Sequence, residues 1–259
     1  MPAELRSHTE GHTLVLTLSN PDHRNALGPE IYAAGVEAFN IASDNREVHA
    51  VVIHGENDVF CAGHNLQRLQ AARQQQPGAQ AQSAEGLHTW IEAIHTFPKP
   101  VIAAVEGAAT GAGFSLALAC DLIVAASNAL FAMTYINVAL PPDGGGSWNL
   151  ARALPRQLAS ELLLCGERIS AERLYQLGVV NRVCEAGQAL NAALAWAETL
   201  GARAPNALLS IKELIHDAAD NSLNRHLTQE RDHFVRDLNH ANAGIGIAAF
   251  LAKRKPQYE

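Results

Sequence analysis

Residues 107–122 read GAATGAGFSLALACDL, and the segment that delivers the chain to them, residues 99–107, reads KPVIAAVEG. Within the second segment, residues 101–105 form a short, wholly apolar run, which reads as a buried strand. The triplet Gly111-Ala112-Gly113 then allows a sharp turn and the close approach of a ligand, because glycine carries no side chain to obstruct it. Residues 114–120, FSLALAC, read as a helix start whose unpaired N–H groups and positive dipole end face whatever binds in front. A strand, a small-residue turn and a helix in that order suit a developing negative oxygen.

A second turn of the same kind lies upstream. Residues 60–66, FCAGHNL, follow the apolar Val51-Val52-Ile53, and Gly63 again lets the backbone turn and approach a ligand. Together the two turns read as two halves of an oxyanion hole.

Outward from these turns, apolar runs at residues 13–18, 50–54, 101–105 and 122–125 alternate with helical patterns such as residues 29–42. This alternation predicts right-handed βαβ units and an α/β fold. From Leu154 onward the pattern turns helical, with stripes such as Leu190, Leu194, Ala197, Leu200 and Leu208, Ile211, Leu214, Ile215. Residues 67–84, rich in Gln and Ala around Pro77-Gly78, lack apolar periodicity and read as a loop, either a mobile flap beside the site or plain surface.

The 259 residues suffice for one large domain, or a core with an appended helical lobe, and 48% apolar composition is ordinary for a globular protein. A net charge of −7, with scattered Lys and Arg, argues against a nucleic-acid surface. Cys61, Cys120, Cys165 and Cys184 form no CxxC pair, which points to a reducing compartment. With no charged-then-apolar leader and no uninterrupted apolar span, a cytoplasmic protein without membrane contact is expected. No His or Cys spacing suggests a metal site.

The series strand, FCAGHNL, polar insert, KPVIAAVEG, Gly/Ala turn, CDLIVA (residues 120–125) resembles the crotonase family, the enoyl-CoA hydratase/isomerase superfamily. The resemblance runs from about Leu14 to the FLAKRKP tail, residues 250–256. It implies a crotonase-like spiral of repeated β-β-α units over residues 1–195 and a C-terminal helical lobe over 196–259 that builds a homotrimer or dimer of trimers. It also implies an acyl-CoA substrate whose thioester oxygen is held by the N–H groups of His64 and Ala112. Coenzyme A is then part of the substrate, and no separate cofactor is expected.

By the same resemblance, hydratases of the family carry two glutamates, and this chain has Ser115 and Tyr135 where they are expected. Adding water needs a group to activate it and a proton source, so a two-carboxylate hydratase is disfavoured. Eight residues after Tyr135, on Pro141-Pro142-Asp143-Gly144-Gly145-Gly146, stands Asp143. Isomerases of the family commonly carry a carboxylate there, and burial against apolar walls is expected to raise its pKa. One carboxylate suffices for an allylic shift: it removes a proton to leave a dienolate and returns it two carbons along. Enoyl-CoA isomerisation with Asp143 as acid and base is therefore expected. Ring opening of an aromatic or epoxide acyl-CoA, a hydratase without its glutamates, and an acyl-CoA-binding protein without catalysis stay open. Ser115 reads as filling, and Tyr135 as either filling or a group that hydrogen-bonds a substrate oxygen or orients Asp143. Asp121 and Glu106 read as structural. Coenzyme A contacts are expected from Arg24, Ala26 and Leu27, from Ala62, His64, Asn65 and Leu66 on the first turn, and from Phe250, Lys253 and Lys255 of a neighbouring subunit.

Overall fold

The computed structural model describes residues 3–258. In chain order, β1 (Glu4–Glu10) and β2 (Thr13–Ser19) form an antiparallel hairpin, and a 3-10 turn at Pro21–His23 leads to α1 (Pro29–Asp44) and β3 (Ala50–Gly55). Next come α2 (Leu66–Ala72), α3 (Pro77–Thr96), β4 (Val101–Val105), β5 (Ala108–Thr110), α4 (Ala112–Ala119), β6 (Leu122–Ala126) and β7 (Leu130–Ala132). A 3-10 turn at Thr134–Val138 precedes α5 (Gly146–Ala153), α6 (Arg156–Cys165), β8 (Ile169–Ser170), α7 (Ala171–Gln176) and β9 (Arg182–Cys184). The chain closes with α8 (Ala189–Gly201), α9 (Pro205–Ala218), α10 (Leu223–Leu238) and α11 (Ala241–Leu251).

The larger sheet has the order β1-β2-β3-β4-β6-β9 and is parallel from β2 onward. Its central strands are covered on both faces, which explains why they read as continuous apolar runs. Alternation still sorts the side chains. Val101, Ala103 and Val105 enter the main core, while Ile102 and Ala104 enter a second one with Ala50, Val52 and Val124. That second core is closed by Ala189, Ala193 and Ala197 of α8. Residues 195 and 196, where the division was expected, both lie within α8, whose small-residue face seals the sheet.

The expected loop at residues 67–84 is also corrected, because all of it but residues 73–76 is helical. Asn65 caps α2 by accepting from the Arg68 N–H at 3.1 Å, and Pro77, read as a loop signal, is the first residue of α3. The C-terminal half of α3 docks through Leu87, Trp90, Ile91 and Ile94. Once that half is fixed, the preceding Ala and Gln residues propagate the helix with good propensity despite having no apolar stripe of their own.

Trp90 fixes α3 against α1. A β-carbon on Gly35 would fall 2.3 Å from the indole, so glycine is the only residue this helix crossing admits. Gly35→Ala is expected to cost about 1–3 kcal/mol by overpacking, read as a fall in Tm without change in the far-ultraviolet spectrum.

The smaller sheet, β5-β7-β8, positions the two turns. A bridge from Cys61 to Ala109 lays FCAGHNL along β5, with the Cys61 N–H donating to Ala108 O at 2.9 Å and the Thr110 N–H to Cys61 O at 2.9 Å. Helix α4 is apolar all round and buried, as expected of a helix at the centre of a core. Among the described residues no helix is long and apolar enough to cross a membrane.

Candidate active site

The two turns meet. A β-carbon on Gly63, whose φ is +90°, would lie 2.6 Å from Thr110 O and 3.2 Å from Ala112 N, so any side chain there would enter the other turn. Gly111, at φ +53°, starts α4 without a side-chain cap. Among the described residues, neither the His64 nor the Ala112 N–H donates to an acceptor of the chain. Two adjacent free donors, one at the head of a buried helix, form an arrangement suited to an anionic oxygen. The helix begins at Ala112 rather than Phe114, which brings the Ala112 N–H into its first turn.

Asp143 lies at the centre of a network of side chains. Its Oδ2 accepts from His64 Nε2 at 2.6 Å, and its Oδ1 accepts from the Tyr135 hydroxyl. The other ring nitrogen, His64 Nδ1, is 3.1 Å from the Tyr32 hydroxyl. Ser115 holds the backbone: its hydroxyl donates to Asp143 O at 2.9 Å. Ser115 is thus more than the filling it was expected to be, since it anchors the turn that carries the carboxylate.

Two of the three glycines after Asp143 are tightly packed. A β-carbon on Gly146 would meet Ser115 Oγ at 2.5 Å, and one on Gly144 would meet Leu87 at 3.0 Å. At these two positions glycine lets the turn lie against the core.

The expected rise in the Asp143 pKa is overturned. Burial alone pushes it up, but the His64 and Tyr135 hydrogen bonds hold it below the usual carboxylate value. Asp143 is therefore a carboxylate near neutral pH. Tyr32 and Tyr135 move the other way: burial, then the nearby Asp143 charge, pushes both well above an ordinary phenol. Both remain protonated donors.

A cavity of about 1040 Å³ opens in front of this network. His64, Tyr32, Tyr135 and Asp143 line it, and Asp143 is the only carboxylate that does, among the described residues. Leu27, Asn65 and Leu66 also line it, whereas Arg24, Ala26, Ala62 and Ala112 do not. Ala26 and Ala112 are buried. The contribution of Arg24 in this structure is its carbonyl, which accepts from the Ala62 N–H at 3.0 Å, while the Leu27 N–H donates to Gly63 O at 2.8 Å. These two bonds pin the loop to the first turn. Phe250 and Lys253 lie on and just after α11, outside the cavity of their own chain.

Sequence reasoning missed Tyr32, the imidazole of His64 as a partner of Asp143, and the cavity guanidiniums Arg68 and Arg73. Tyr32 had a readable sign, a hydroxyl-bearing aromatic in the first turn of the helix after the 21–27 loop. Asp121 and Glu106 are structural, as expected. Asp121 Oδ2 accepts from the Val101 N–H at 2.7 Å and from Lys212 at 2.6 Å, and Glu106 accepts the Gly187 and Ala189 N–H groups ahead of α8.

Residues 8–259 match the family described as enoyl-CoA hydratase/isomerase. The chain belongs to that family. Among relatives of the enoyl-CoA hydratase/isomerase family, it is 32% identical over 253 residues to the 1,2-epoxyphenylacetyl-CoA isomerase of Escherichia coli (strain K12), covering 97% of each chain. It is 33% identical over 262 residues to the 2,3-dehydroadipyl-CoA hydratase of the same strain, covering 99% of each. A crystal structure described as an enoyl-CoA hydratase from Polaromonas sp. JS666 shares 68% identity at a TM-score of 0.98, covering 99% of this chain and 100% of that one. The fold is thus the crotonase fold of the enoyl-CoA hydratase/isomerase family, as the motif series implied.

Proposed function

We propose that this chain isomerises an enoyl-CoA thioester by moving its double bond. The observation that carries this reading is the single carboxylate on the cavity among the described residues, Asp143, ionised and hydrogen-bonded to the side chain of His64, whose backbone N–H, like that of Ala112, has no acceptor in the chain. The Asp143 carboxylate would take a proton from the carbon next to the thioester of a 3-enoyl-CoA. The electron pair would spread over a dienolate whose oxygen receives the two N–H groups, and the same proton would return two carbons along. Mass is unchanged and no water is consumed.

Hydration needs a second acid or base. The residues standing in the glutamate positions are committed elsewhere: Ser115 donates to the Asp143 backbone and Tyr135 to its carboxylate. A second reading is favoured by the relative named 1,2-epoxyphenylacetyl-CoA isomerase, matched over nearly the whole chain. In it, the same carboxylate and oxyanion site rearrange an aromatic or epoxide acyl-CoA.

The phosphates of coenzyme A are assigned to Arg68 and Arg73 on the cavity wall rather than to Arg24. A homotrimer or dimer of trimers is supported by the exposed Leu223, Phe234, Phe250 and Leu251 of α10 and α11. In such an assembly Phe250 and Lys253 can close a neighbour's site, and light scattering would read the mass.

The deciding experiment offers purified protein 3-enoyl-, 2-enoyl- and ring-epoxide acyl-CoA and follows ultraviolet absorbance and mass. A 3-enoyl to 2-enoyl conversion at constant mass is expected. A gain of one water would return the chain to the hydratases, a rearranged epoxide would favour the second reading, and no turnover would leave a binding protein.

A further inference from the structure

We propose that the His64 side chain, braced by Tyr32, is the positioning group of Asp143, so that one residue sets both the oxyanion donor and the place of the proton-carrying carboxylate. This rests on the proposed isomerase reading. The backbone N–H and the imidazole of His64 share one α-carbon. The His64 rotamer therefore links the place of a dienolate oxygen to that of the carboxylate that serves it, beside the holds of Ser115 on the turn and Tyr135 on the other carboxylate oxygen.

That rotamer is held at both ends. Nε2 is 2.6 Å from Asp143 Oδ2, and Nδ1 is 3.1 Å from the Tyr32 hydroxyl. The tautomer is assigned from this network: an ionised carboxylate only accepts, so Nε2 carries the proton, and Nδ1 accepts from Tyr32. Neither ring nitrogen is left for substrate, so His64 acts through Asp143.

The groups that face Asp143 are few. They are His64 from the turn after β3, Tyr135 from the 3-10 turn, and, through their fields, Tyr32 of α1 and His88 of α3. Tyr32 in turn faces Cys61, which burial keeps a neutral thiol, and the Arg68–Glu30 pair at 2.6 Å. His64 and Tyr135 are the only side chains among the described residues that donate directly to the carboxylate. Losing His64 strips one of its two donors.

The test compares native protein with His64→Leu, His64→Gln and Tyr32→Phe. Isotope-edited infrared titration of the aspartate carboxyls without substrate, with the Asp143→Asn spectrum subtracted, reads the carboxylate directly. In His64→Leu its midpoint is expected to rise by about one pH unit. With the substrate that the native protein isomerises, kcat is expected to fall about 10- to 100-fold while KM stays within about threefold. The acid limb of kcat should move up with the infrared midpoint, because the folded-state carboxyl is held low only while its donor remains. His64→Gln, whose amide can donate, should recover part of both effects. Tyr32→Phe, which leaves the imidazole in place, should shift both readouts less, and it carries the test should His64→Leu fail to fold. An unchanged midpoint and unchanged kcat in these variants would overturn the proposal. A native protein that moves no double bond would sink the isomerase reading alone, since the infrared titration needs no substrate.

Discussion

Asp143→Asn is expected to slow isomerisation by about a thousandfold, the middle of the range for a general acid–base group, while KM changes only a few-fold. Asparagine keeps the shape and can still accept one of the two hydrogen bonds from His64 and Tyr135. It cannot take a proton from carbon, so the loss should fall on kcat. Absorbance of the conjugated thioester gives the rate, and equilibrium binding of a saturated acyl-CoA gives the affinity. Turnover within tenfold of native would remove Asp143 from the chemistry. Because the native carboxyl sits below its ordinary value, native activity should persist down to the acid edge of the stable range.

Ala112→Pro removes one of the two oxyanion donors without removing a side chain that matters. Ala112 is the first residue of α4, where proline fits because the N–H it lacks has no helical partner. Loss of one such donor is expected to cost about 100- to 1000-fold in kcat, with the melting temperature and far-ultraviolet spectrum near native. Gly113 is no substitute for this probe, since a β-carbon there would lie 2.4 Å from Cys61 O and disturb the fold itself. A native rate in Ala112→Pro would refute the assignment of this N–H to the thioester oxygen.

The two probes differ in how legible their sites are in sequence. Ala112 announces itself locally, because a glycine on each side and an apolar helix behind leave few other uses for the turn. Asp143 is visible only as an acid beside glycines, where a turn residue or helix cap reads equally well from local sequence. What separates the readings is contact with His64, 79 residues away, and with Tyr135. Tyr32 to His64 spans 32 residues. Helix α3 shows the same limit in secondary structure: its first half has no apolar stripe, and only docking of Trp90 against Gly35 fixes it.

The sequence by itself determined four strands of the larger sheet, β2, β3, β4 and β6, and the two glycine turns, because apolar runs, glycine's freedom and helix-end donors are properties of neighbouring residues. It also placed one acid where an isomerase would use it. Only the tertiary structure decided the charge of that acid. Burial alone predicts a raised pKa, but His64 and Tyr135 converge on Asp143 from distant segments and reverse the sign. Hydrogen bonds between remote side chains depend on how β5, α1 and the 141–146 turn come together, and no local pattern encodes that distance.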